Sequence, residues 1–174
     1  MTIDAEWTHT TASIPEPGLD TRRSASEAQR REIAAVLDLV GLDRLDAAYR
    51  IEHIARGRFR LSGEIRARVI QACVVTLDPV VAEIRELFQI DFWPAEAIPD
   101  GAEGERAVLG EDPPEPIEQH RIGVGRIVYD TLAAALDPYP RLPEAAIERH
   151  EAKDETPASA HPFAALAKLK RPAD

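Results

Sequence analysis

The chain is short of the residues from which most catalytic and cross-linked sites are built. It holds one cysteine in 174 residues, Cys73. An intrachain disulfide is therefore excluded, and the composition suits a reducing compartment. Aromatic residues make up only 5%, too few for a platform that stacks successive bases. The five histidines (His9, His53, His120, His150 and His161) are scattered. None stands at the short spacing that presents two imidazoles to one ion. No apolar run approaches the roughly 18–20 residues that span a bilayer. The opening MTIDAEWTHTTASI lacks the basic stretch and apolar core of a secretory signal. These shortages predict a soluble, cytoplasmic chain with no metal, no cofactor, no membrane and no small-molecule substrate.

What is present is a core and an uneven distribution of charge. Hydrophobic residues make up 44%, enough to exclude a wholly disordered chain. The net charge is −10, which as an average repels nucleic acid. The average hides two blocks. Between residues 50 and 70, six arginines face two glutamates, a local +4. Between 78 and 118, twelve acids face Arg85 and Arg106, a local −10.

Along the chain, residues 5–13 alternate weakly and read as a short first strand, broken by PEPGLD. A helix over about 25–40 follows, with Ser24 and Glu27 as its capping box and Gly41 as the residue that ends it. Residues 46–55 read as a strand with Tyr49 and Ile51 on one face, and a turn is expected at Gly57.

The strongest periodicity is in GRFRLSGEIRARVIQACV. Phe59, Leu61, Gly63, Ile65, Ala67 and Val69 alternate with Arg58, Arg60, Ser62, Glu64, Arg66 and Arg68. A period of two puts the first set on a core and the second in water, as in antiparallel sheets. The stretch is long enough for two strands or one bent strand, with the bend at Ser62-Gly63.

From 80 to 92, Ala82, Ile84, Phe88, Ile90 and Phe92 share a face. A helical reading of 80–88 also fits, but β-branched and aromatic content favours a strand. Residues 94–118 read as a long acidic loop with a short strand at 106–109, and 123–136 as an amphipathic helix. The predicted architecture is α+β in one domain over residues 1–140, an antiparallel sheet, open or barrel-like, packed with two main helices. Residues 141–174 are expected to form a flexible tail ending in a short amphipathic segment.

Cys73 is in phase with the core positions, which makes a small buried side chain the stronger reading over a nucleophile. Gly123-Val-Gly125 lacks the third glycine and preceding strand of a phosphate loop; its glycines are expected to ease entry into the helix. The main surface candidate is the arginine face: Arg58, Arg60, Arg66 and Arg68 on one ribbon, with Arg50 on a neighbour. Same-face residues lie about 6.5–7 Å apart on a strand, close to phosphate spacing in a nucleic-acid strand, and arginine binds phosphate bidentately. The competing reading pairs these arginines with Glu64, Glu83 and the acidic loop.

QACVVTLDPV (71–80), LAAALDPYPR (132–141) and HPFAALAKLK (161–170) together resemble the YceD family of large ribosomal RNA subunit accumulation proteins, in its alphaproteobacterial branch. The resemblance covers most of the chain from about residue 5. It implies a non-enzymatic role in the synthesis, processing or stability of large-subunit ribosomal RNA. The implied partner is that RNA or a basic large-subunit ribosomal protein. Many members carry C-x-x-C-L-E-P followed by later cysteines that suggest a metal site. Cys73 matches the first cysteine, Thr76 stands in place of the second, and no later cysteine follows. The chain therefore departs from that pattern, and no metal is expected. RNA contacts would come from Arg50, Arg58, Arg60, Arg66 and Arg68. Partner contacts would come from Phe163, Leu166, Lys168, Leu169 and Lys170 in a tail that folds on binding. The alternative is an RNA-processing hydrolase using acids of the 94–118 loop, such as Glu111 and Asp112.

Overall fold

The structure, a computed structural model, describes residues 2–55, 57–98 and 113–144. Its centre is three long antiparallel strands: β3 (Gly41–Ala55), β4 (Arg58–Ala72) and β5 (Pro79–Pro94). β2 (Leu19–Ser24) flanks β3, and β6 (Glu115–Ile117) runs parallel to the end of β5, giving the order β2-β3-β4-β5-β6. Among the described residues no pairing joins β2 to β6. The sheet is open rather than barrel-like, and the class is α+β, as the alternation predicts.

β1 (Thr8–Thr10) and β7 (Arg121–Gly123) form a separate antiparallel pair. The N-terminal strand is thus not part of the main sheet. Among the described residues three α-helices pack with these strands: α1 (Thr2–Glu6), α2 (Glu27–Val36) and α3 (Val124–Ala135).

The odd positions of β4 carry the core. Leu61, Ile65, Ala67 and Val69 have no exposed surface, and Phe59 is 4% exposed. Each large aliphatic among them contributes roughly 1.5–3 kcal/mol by leaving water. Tyr49 and Ile51 of β3 and Phe88 and Phe92 of β5 join them. Ile33 of α2, Ile3 and Trp7 near α1, and Val124, Val128 and Leu132 of α3 close the core.

β4 runs unbroken through Ser62-Gly63, opposite Arg50-Tyr49 on one side and Gln89-Phe88 on the other. The expected bend is absent, because Gly63 serves close packing instead. A Cβ there would lie 2.6 Å from the Ala48 carbonyl oxygen and 2.7 Å from the Phe88 ring, so two neighbours press on the strand where only hydrogen fits. Gly125 works in the same way. A Cβ would fall 2.2 Å from the Ile3 carbonyl oxygen, and its N–H donates to the Trp7 carbonyl at 3.1 Å. Gly125 therefore admits the backbone of α1, whereas a Cβ at Gly123 would meet only the Asp4 side chain, at 3.4 Å.

The helix expected over 25–40 is shorter at both ends. Its capping box is Ser26 with Gln29, not Ser24 with Glu27. Ser26 Oγ accepts from the Gln29 N–H at 3.3 Å, and Gln29 Oε1 accepts from the Ser26 N–H at 2.8 Å. Ser24 is taken by β2, opposite Asp46. The helix stops at Leu37, and Asp38 supplies the left-handed residue (φ 52°) expected of Gly41, which instead begins β3.

Candidate functional site

The even positions of β4 face outward as predicted, and with their neighbours they make a dense ionic surface. Arg60 lies directly opposite Asp91 and grips both of its oxygens, Nε to Oδ1 at 2.7 Å and an η nitrogen to Oδ2 at 2.9 Å. That hydrogen bond raises the pKa of the guanidinium further above its ordinary value. Glu64 bridges two arginines, Arg66 and Arg85, the latter at 2.7 Å. Their hydrogen bonds hold its carboxyl below the ordinary range. Glu83 likewise bridges Arg44 and Arg68, both at 3.1 Å, and Arg68 also meets Asp43 at 3.3 Å. Arg50 pairs with Asp20 and with Glu52 at 3.6 Å. Arg58 stacks its guanidinium 3.6 Å over the Trp93 ring, a cation–π contact.

The expected arginines do share one face, and each of Arg50, Arg60, Arg66 and Arg68 holds a carboxylate. Six arginines of this face meet seven acids. The local +4 seen in sequence is therefore neutralised by strands on either side. Arg44 joins the face because β3 begins at Gly41, five residues before the strand expected at 46. Arg85, opposite Arg66 on β5, joins the face as well. The register of β3 against β4, with Arg44 opposite Arg68, is the signal that finds Arg44.

Across the middle of this face the side chains are small. Ala48, Ser62 and Gly63 line a shallow groove of about 950 Å³ together with Arg22, Arg50 and Leu87. Leu87 is 78% exposed.

A second site lies at the end of β4. Cys73 is fully buried, as its phase predicts. Its N–H donates to the Asp78 carbonyl at 2.8 Å and its carbonyl accepts from the Leu77 N–H at 2.9 Å, closing a tight turn. The residues after α3 are fastened to that turn. The Gln71 amide donates to the Asp137 carbonyl at 2.9 Å, and the Val74 N–H to the Pro140 carbonyl at 2.9 Å. Two of the three motifs thus form one corner. The Thr76 hydroxyl first, and then the backbone N–H groups of Leu142, Thr76 and Val75, favour the ionised Cys73 sulfur. Together they lower its pKa to about 7, because each donor favours the thiolate. Thr76, which stands where the family pattern has its second cysteine, is thus the largest cause of that shift. Val74, Leu77 and Tyr139 leave apolar surface exposed here (46%, 77% and 72%), and Leu77 holds a left-handed backbone (φ 64°).

Elsewhere, His9 Nε2 lies 2.9 Å from the Tyr49 hydroxyl, and burial, then the charge of Arg23, lowers the imidazole pKa. Among the described residues no three of His, Cys, Asp and Glu are grouped to hold a metal, and no helix is long and apolar enough to cross a membrane. Residues 99–112, with Glu111, Asp112 and the strand expected at 106–109, lie outside the described residues. So does the terminal segment with Phe163, Leu166, Lys168, Leu169 and Lys170.

No curated protein and no solved structure matches the chain. A family model does match residues 61–170, which takes in β4 from Leu61 onward, the Cys73 corner, α3 and the terminal segment: that of the large ribosomal RNA subunit accumulation protein YceD. On that match the chain belongs to the YceD family.

Proposed function

We propose that the chain is a non-enzymatic factor that supports accumulation of large-subunit ribosomal RNA by holding a basic protein of the large subunit. The observation that carries this reading is the outer face of the sheet, where six arginines are already bound by seven carboxylates. A phosphate backbone gains affinity by releasing counterions from cationic sites. Here it would first have to displace a carboxylate from each arginine. A basic protein would likewise have to part these pairs to use their carboxylates, but the net charge of −10 attracts it where it repels RNA. The face is broad and shallow, suited to a macromolecular surface more than to enclosing a small molecule. The exposed apolar surface of Val74, Leu77 and Tyr139 at the corner offers such a partner a second contact.

A second reading, direct contact with ribosomal RNA, rests on the shared orientation and partial exposure of Arg50, Arg66 and Arg68 (40%, 57% and 48%). Sedimentation of cell extract tests the common premise. The factor should travel with immature large subunits, and a factor found only in the free fraction would overturn it. A turnover assay on precursor ribosomal RNA with divalent metal, comparing the chain with its Glu111→Gln and Asp112→Asn variants, should give no cleavage in any sample. Cleavage lost in the variants would establish the hydrolase alternative.

A further inference from the structure

β5 is paired along its full length on one side only. Against β4 it runs from Pro79 to Phe92, whereas on its other side it meets β6 only at Phe92, Trp93 and Pro94. Among the described residues, no strand takes the outer hydrogen-bonding edge from 79 to 91. Such an edge is a template for another strand unless it is blunted by bulges, prolines or a cover. The ladder between β4 and β5 shows no register shift, and Pro79 stands only at the strand's start. Two of its outward residues are apolar and exposed, Val81 at 50% and Leu87 at 78%. They flank one acid and one base, Glu83 and Arg85.

We propose that this edge pairs with the same edge of a second copy, antiparallel and centred on Ile84. In an antiparallel ladder, residues directly opposite share a face. About a two-fold axis at Ile84, Val81 lies opposite Leu87 of the second copy and Glu83 opposite its Arg85. Symmetry makes each contact twice. On the inner face Val80 meets Phe88, Ala82 meets Glu86, and Ile84 meets itself.

The neighbouring registers are disfavoured by charge. Centring on Glu83, Arg85 or Glu86 sets that residue against its own copy, and centring on Leu87 sets Glu83 against Asp91. Like charges directly opposite destabilise a ladder, so charge favours the Ile84 register over these. The incoming strand covers 80–88 and ends before β6 begins at Phe92. The contact is isologous and closes at two copies, joining two five-stranded sheets into one of ten strands. Most of the inter-chain surface is one strand edge and its side chains, so the dimer is of the weak, concentration-dependent kind.

The test is sedimentation equilibrium of the full chain from about 1 µM to about 1 mM, the range in which small interfaces dissociate. A monomer–dimer equilibrium is expected. Leu87→Lys, at a site so exposed that the fold is unaffected, should weaken it at least about tenfold, the effect of a buried lysine facing Val81. Glu83→Arg and Arg85→Glu should each be monomeric alone, because each sets like charges opposite one another. An equimolar mixture of the two should dimerise, because every charge then faces its opposite. Monomer at all concentrations, assemblies larger than two, or a dimer indifferent to these substitutions would overturn the proposal.

Discussion

The outer face of β4 and the corner at Cys73 lie on the same strand, yet they are ordered by different physics. The face is built by repetition: every second residue points out, Arg60 and Arg68 find carboxylates directly opposite on β5, and Arg66 finds Glu64 two residues away on its own strand. Any one of these pairs is partly exposed and worth little, about 0–1 kcal/mol. The corner has no repeat. It depends on two specific bonds, from the Gln71 side chain and the Val74 N–H to the Asp137 and Pro140 carbonyls, across more than sixty positions of chain. The face should therefore tolerate single changes and yield only to several, whereas the corner should fail at one residue.

Substitutions on the two sides of β4 sharpen this contrast most. Gly63→Ala should cost about 3 kcal/mol, the upper range for overpacking a core, since the Ala48 carbonyl and the Phe88 ring occupy its space. The adjacent outward change Ser62→Ala should stay within about 0.5 kcal/mol. Urea unfolding midpoints distinguish them, and equal effects would break the claim that Gly63 is required for packing. At the corner, Gln71→Ala should cost about 1 kcal/mol, the net worth of one hydrogen bond. It should also lower amide-exchange protection at Val74 before protection in the centre of β4. On the face, Arg60→Ala should cost about 0.5 kcal/mol despite its bidentate geometry, because the pair is partly exposed. Most of that loss should disappear in high salt.

The smallest effect is a pH profile that belongs to the corner alone. The folded thiol of Cys73 titrates near 7, below the unfolded thiol at about 8.5. A depressed pKa stabilises the fold where the group is ionised. The contribution is complete above the unfolded value and is lost as pH falls through 7. Stability measured for the parent chain relative to Cys73→Ala should therefore rise between about pH 7 and pH 8.5. Thiolate absorbance should show the same midpoint, and Thr76→Val should move it upward. A flat difference across that interval would mean that the donors around the sulfur do not favour the thiolate.

Much of the fold was legible because alternation is a strong code. The inward set of β4, the burial of Tyr49 and Ile51, and the strand character of 80–92 all follow from a period of two. β2 was missed since LDTRRS has no apolar alternation; its order comes from pairing with Ala47–Ile51 of β3, a tertiary cause. The capping box was displaced by two residues because SASEAQ contains two overlapping boxes, and only strand pairing at Ser24 decides between them. The arginine face was legible in orientation but not in charge balance, which depends on which acids the neighbouring strands bring alongside. The contact between Thr76 and Cys73 lies in a nonrepeating turn, where spacing alone carries no geometry.

The central claim is that the arginine face is internally neutralised and that the chain holds a basic protein. It is tested most directly by measuring binding to large-subunit ribosomal proteins and to protein-free large-subunit ribosomal RNA side by side, at rising salt. The account predicts binding to the protein fraction that loosens with salt, and little binding to the RNA at any salt concentration. Tight RNA binding that falls steeply with salt and vanishes in the Arg60→Glu, Arg66→Glu double variant would contradict it.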